Sequence, residues 1–147
     1  MTFRWSSRRG ALAALLVFLL AAAVMAWPLV RSPASAVVGD WGDSLLNAWI
    51  LAWDVHALSS GHVSSLFDAN IFHPRKNTLA YSENMLGNAL LAFPFYLLSN
   101  NPLLAYNAVF FLSLALSAWG AFFLARYVTG SAAAAVAAGM IYGFFPW

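Results

Sequence analysis

All five acidic side chains (Asp40, Asp43, Asp54, Asp68 and Glu83) and all three histidines (His56, His62 and His73) fall between residues 31 and 83. Any chemistry the chain performs therefore belongs to that stretch. Asp40 and Asp43 form its closest acidic pair. A carboxylate within hydrogen-bond reach of an acceptor hydroxyl can act as a general base, and two together can hold a divalent cation. A departing phosphate needs positive charge, which a metal or the adjacent Arg75 and Lys76 can supply. Asp43 and Asp40 are accordingly the candidate catalytic residues. The plainer reading makes Asp40 a loop residue and Asp43 a helix cap, and spacing alone does not separate the two.

The candidate substrate-binding residues are Asn47, Asp54, His73, Arg75, Lys76, Asn77, Tyr81 and Glu83. Their mixture of donors, acceptors and aromatic rings suits a sugar or a sugar phosphate, although an ordinary exposed loop carries the same types. The histidines show neither HxxxH nor HxH spacing, which argues against zinc and leaves the identity of any metal unknown. A glycine-rich phosphate loop, a G-x-S-x-G elbow and cysteine are all lacking from the sequence. Hydrolase and nucleotide-binding readings thus have no support.

These residues need elements to hold them. Asp43-Ser44 is helix-start chemistry, and a helix is expected over 44–58, a run without Gly or Pro. At 100° per residue, Leu45, Leu46, Trp49, Trp53 and His56 share one side, while Asp43, Asn47 and Asp54 share another. An interfacial helix follows, with Trp49 and Trp53 toward the headgroup zone or the bundle. Its carboxylate and amide stripe is expected to turn toward Arg75 and Lys76, because unpaired carboxylates near lipid are costly.

The chain has 147 residues, 63% of them hydrophobic and only 8% charged, with a mean hydropathy of +0.74. Soluble domains carry roughly 25% charged residues, so a membrane protein is expected, with the lipid bilayer as its first partner. The seven basic residues are scattered without a stripe, which sets nucleic acid aside. Four hydrophobic segments follow, at 11–30, 85–98, 103–125 and 131–147, the second of them short enough to be re-entrant. Arg4, Arg8 and Arg9 in the tail 1–10 predict a cytoplasmic N-terminus. Loop 31–83, with three cations against five anions, is then extracytoplasmic. A cleaved signal peptide is the rival for the first segment, since Ala34-Ser35-Ala36 is an A-x-A site. The apolar run to Trp27-Pro28 is longer than a signal core, which favours an anchor. The apolar end at Phe144-Phe145-Pro146-Trp147 suggests either the N-terminal part of a longer polytopic protein or a small subunit packing against partners.

The runs from Gly42 to Asp54, Leu66 to Pro74, Asn77 to Glu83, Asn101 to Asn107 and Ala125 to Gly130 resemble a family of bacterial multi-spanning membrane proteins. These are described as GT-C type glycosyltransferases, related to the lipid-linked-sugar-dependent mannosyl- and arabinosyltransferases. The resemblance implies an all-α membrane fold with a large first extracytoplasmic loop, membrane-parallel helices and many further spans. It implies a bacterial inner-membrane location and a sugar delivered from a polyprenyl phosphate to an extracytoplasmic acceptor. It also implies an acidic residue in the first loop that acts as base or helps hold a metal, and Asp43 matches the Gly-Asp motif with Asp40 beside it. Only the N-terminal portion of such a protein is matched, so activity would belong to the complete protein. The alternative is a non-catalytic membrane subunit, or a truncated remnant, that packs with other transmembrane proteins.

Overall fold

The computed structural model describes residues 8–27, 29–39, 41–83 and 85–145. Asp40, the expected partner of Asp43, and Arg4 of the basic tail lie outside them. Every regular element among the described residues is helical: α1 (Arg8–Met25), α2 (Trp41–Ser59), α3 (Leu86–Ser99), α4 (Pro102–Thr129) and α5 (Ala132–Phe144). Short 3-10 turns occur at Leu29–Arg31, Val63–Ser65 and Thr78–Tyr81.

Several boundaries differ from expectation, among them the end of α4, which runs to Thr129 and not 125. The first apolar run begins its helix at Arg8 and leaves it at Met25 instead of continuing to Val30, whose neighbourhood forms a 3-10 turn. The second helix begins at Trp41 and not at residue 44, so Asp43 lies inside its first turn. There a carboxylate meets the positive end of the helix dipole.

Helices α1 and α4 are long and apolar enough to cross a membrane. At ~1.5 Å per residue, the 14 residues of α3 and the 13 of α5 reach only about 20 Å, short of a ~30 Å hydrocarbon layer. Two of the four expected segments thus attain full spanning length.

The Ser99-Asn100-Asn101-Pro102 sequence makes the α3–α4 turn by four local devices. Asn100 takes the left-handed conformation (φ 51°) and its N–H returns to the Tyr96 carbonyl at 2.7 Å. Asn101 Oδ1 then accepts from Leu104 N at 2.9 Å, capping α4, and Pro102 occupies the first helical position, where no backbone donor is needed. Gly130 (φ 68°) and Ser131, whose hydroxyl accepts from Ala134 N, do the same between α4 and α5.

The chain forms two compact units, 1–30 with 110–147 and 31–109, the division falling within α4. In the first unit the fully buried Phe18 packs among Ala115, Ala118, Phe122 and Ala135, and Trp119 Nε1 donates to the Ala11 carbonyl at 3.0 Å. Gly139 permits this packing. A Cβ there would meet the Phe18 ring and lie 2.7 Å from the Ala118 carbonyl oxygen. In the second unit α2 packs on α3, with Leu51 and Val55 against Ala89, Ala92, Ala105 and Val109. Asn107 Nδ2 donates to the Pro33 and Ala36 carbonyls, both at 2.7 Å, and ties the 33–36 turn to α4.

Gly139→Ala should therefore destabilise the first unit by about 1–3 kcal/mol through overpacking, despite alanine's better helix propensity. Gly120→Ala, where an added Cβ meets nothing, should be neutral or stabilising by up to ~1 kcal/mol. Denaturant unfolding of the two variants in the same detergent checks the difference.

Candidate functional site

The polar stretch folds back on α2. Trp53 Nε1 donates to the Leu66 carbonyl at 2.8 Å, and Trp49 and Trp53 pack with Ile71 around the buried Ile50, Ala69 and Leu79. The two indoles stack with centroids 6.3 Å apart. The sequence places the tryptophan side toward the headgroup zone or the bundle; in the fold both indoles are half-buried against the chain's own 66–79 segment. The physical reason is that a covered indole satisfies both its apolar body and its N–H within the fold.

The expected stripe does not share one environment. Asp43 is exposed, Asn47 is half-buried and Asp54 is completely buried. By helical geometry Asp54 falls about 40° from Ile50 and about 60° from Leu51. Those residues belong to the two apolar clusters that α2 joins, so Asp54 is enclosed between them. Among the described residues neither of its oxygens has a hydrogen-bond partner, and burial pushes its carboxyl up from 3.8 to about 6.

A groove of about 1000 Å³ opens beside the tryptophan side of α2, where Leu46 faces Ile71, Phe72, Arg75, Lys76, Thr78, Tyr81 and Ser82. Of the candidate binding residues it gathers Arg75, Lys76 and Tyr81. Asn47, Asp54, His73, Asn77 and Glu83 do not line it. Leu46, and not the Asp43–Asp54 stripe, is thus what α2 presents to the two cations. Asp43 does not line this groove; it stands three residues before Leu46 on the same helix, about 60° around the axis from it. Ser44 fixes the start of α2 by donating to the Val38 carbonyl at 2.6 Å.

The chemistry of the groove is amphiphilic. Apolar side chains form much of its wall, two exposed cations stand on one segment, and Thr78, Ser82 and Tyr81 add hydroxyls. Among the described residues, which do not include Asp40, no three His, Cys, Asp or Glu side chains come together as a metal site. Sequence reasoning missed Leu46, Ile71, Phe72, Thr78 and Ser82. The apolar Ile71-Phe72 pair inside a polar stretch was the one signal for them. The chain matches no family model, no curated protein and no solved structure.

Asp54 makes stability depend on pH. Its folded pKa lies above its unfolded value, so its contribution is fully present below about pH 4 and is lost as pH rises through about 6. The loss amounts to about 3 kcal/mol at neutral pH. Asp54→Asn should abolish the slope between pH 4 and 7 in denaturant unfolding. An unchanged slope would assign it to another group.

Proposed function

We propose that the chain is the N-terminal part of an integral membrane glycosyltransferase of the GT-C kind, moving a sugar from a polyprenyl-phosphate donor to an extracytoplasmic acceptor. The observation that carries this reading is the groove. A polyprenyl phosphate is a long apolar chain ending in an anion, and the groove sets two cations beside an apolar wall. Arg75 and Lys76 take the phosphate and stabilise its charge as the sugar leaves. The Asp43 carboxylate, one helical turn before the groove-lining Leu46, accepts the proton of the attacking hydroxyl. Its exposure keeps it open to an incoming acceptor. Transfer is a single displacement at the anomeric carbon: the acceptor oxygen bonds to it, the bond to the phosphate oxygen breaks, and the phosphate departs with that electron pair.

The accompanying topology has four membrane segments, with the N-terminus cytoplasmic and 31–83 outside. Shorter α3 and α5 would be accommodated by local thinning or by packing against further helices. Support for it is compositional: the charge-free segments and the cations Arg4, Arg8 and Arg9 ahead of the first apolar run. A second reading, a non-catalytic membrane subunit, draws on the place of Asp43 in the first turn of α2, where a carboxylate stabilises the helix whether or not it reacts.

Asp43→Asn separates the two. In the complete protein, loss of a general base should lower sugar transfer by ~10² to 10⁴ with little change in unfolding midpoint. Unchanged transfer with a lowered midpoint would favour the subunit. Because the chain has no cysteine, single cysteines at Ser59 and Ser99 report topology directly. Ser59 should label from the outer face, and labelling of Ser99 from that face without Ser59 would rule the arrangement out.

A further inference from the structure

The segment between Phe67 and Leu79 is a closed loop. Leu79 N donates to the Phe67 carbonyl at 3.1 Å, Asn77 N to Asp68 Oδ1 at 3.2 Å and Thr78 Oγ1 to the Ala69 carbonyl at 3.5 Å. Ala69, Thr78 and Leu79 are buried at its base. Its tip is open: Phe72, His73, Pro74, Arg75 and Lys76 are all exposed, and Arg75 N donates to the Phe72 carbonyl at 3.0 Å to make the turn.

Phe72 carries two unfavourable terms at once. Its ring is 75% exposed although its neighbour Ile71 packs on the core of the unit, and its backbone stands at φ 56°. That left-handed region is an outlier for a bulky side chain. Folding alone gives no return for holding a phenyl ring in water on a strained backbone. Both terms are compensated if the ring leaves water for an apolar medium.

We propose that the 72–76 tip is a membrane-docking finger, with the Phe72 ring seated at the upper acyl boundary of an anionic bilayer and Arg75 and Lys76 in its phosphate layer. Charge complementarity selects this partner, since the two cations follow the ring by three and four residues and the nearby Asp68 is engaged by the Asn77 backbone. An aromatic neighbour agrees: Tyr81, which lines the groove with Phe72, Arg75 and Lys76, is 91% exposed and of a ring type that favours the membrane interface. The finger is also tethered near lipid by connectivity, because α1 precedes it and α4 follows it in the chain, the two helices long enough to span. The inference goes beyond sugar transfer and does not rest on it. Docking with no transfer, and transfer with no docking, are separate results.

The cysteine-free chain makes the test site-specific. Phe72→Cys and, on the exposed Val63–Ser65 turn, Ser64→Cys are each labelled with a nitroxide in the full chain. The proteins are reconstituted in vesicles of phosphatidylcholine alone or of equal parts phosphatidylcholine and phosphatidylglycerol. At position 72 the label should become several-fold more accessible to oxygen than to an aqueous nickel chelate, most strongly in the anionic vesicles, while position 64 stays aqueous. Adding Arg75→Gln and Lys76→Gln should move the label at 72 back toward water. A label at 72 as aqueous as that at 64 overturns the proposal, as does a depth indifferent to both lipid charge and the two cations. Residues 72, 75 and 76 lie outside the buried base, and the label at 64 in each background verifies that the unit remains folded.

Discussion

A half-buried indole packed against apolar neighbours needs an acceptor for its N–H, and Trp53 finds one in the Leu66 carbonyl. The shape of the 31–109 unit depends on that bond and the packing around it. It closes the polar stretch over the tryptophan side of α2 and thereby gives the helix two buried sides, one against α3 and α4 and one against the 66–79 segment. With both sides covered, the strip between them has nowhere to face at the C-terminal half of the helix, and Asp54 is sealed in. At the N-terminal half the cover ends, so Asp43 stays in water and Leu46 meets the groove.

Magnitudes explain why the fold tolerates a buried, unpartnered carboxyl. Ile50, Leu51 and Val55 are each no more than 1% exposed. Burying such side chains stabilises by about 1.5–3 kcal/mol apiece, or roughly 5–9 kcal/mol together. Desolvating the Asp54 carboxylate costs about 3 kcal/mol at neutral pH, and protonation removes that cost below about pH 4. Packing wins on either side of the transition, so the helix keeps its position and the carboxyl adjusts its proton instead.

Much of the helical framework was legible in the sequence. The charge-free runs and the Ser99-Asn100-Asn101-Pro102 turn announce α3 and α4, because left-handed Asn, capping Asn and first-turn Pro act within a few residues. The orientation of α2 was not legible. Periodicity tells which residues share a side of a helix; it does not tell what covers that side, and the covering segment has no period of its own. The same limit hid Asp54, whose burial arises from two clusters built by residues as distant as Leu79 and Val109. It also hid the groove, of which Arg75, Lys76 and Tyr81 announced themselves by residue type, and Ile71 with Phe72 only as an apolar pair inside a polar stretch.

The proposed function joins an amphiphilic groove to an exposed carboxylate on α2, the helix that contributes Leu46 to that groove. Its central claim is that the groove recognises a phosphate carried on an apolar chain, both parts being required. The most direct measurement is equilibrium binding of a long-chain polyprenyl phosphate to the complete protein in detergent, set beside the same polyprenol without its phosphate and beside the Arg75→Gln, Lys76→Gln double variant. The account requires the phosphate to bind at least about tenfold more tightly than the alcohol, a difference of ~1.4 kcal/mol, and requires the double variant to erase that advantage. Equal binding of the alcohol and the phosphate, or an advantage that survives removal of both cations, would contradict it.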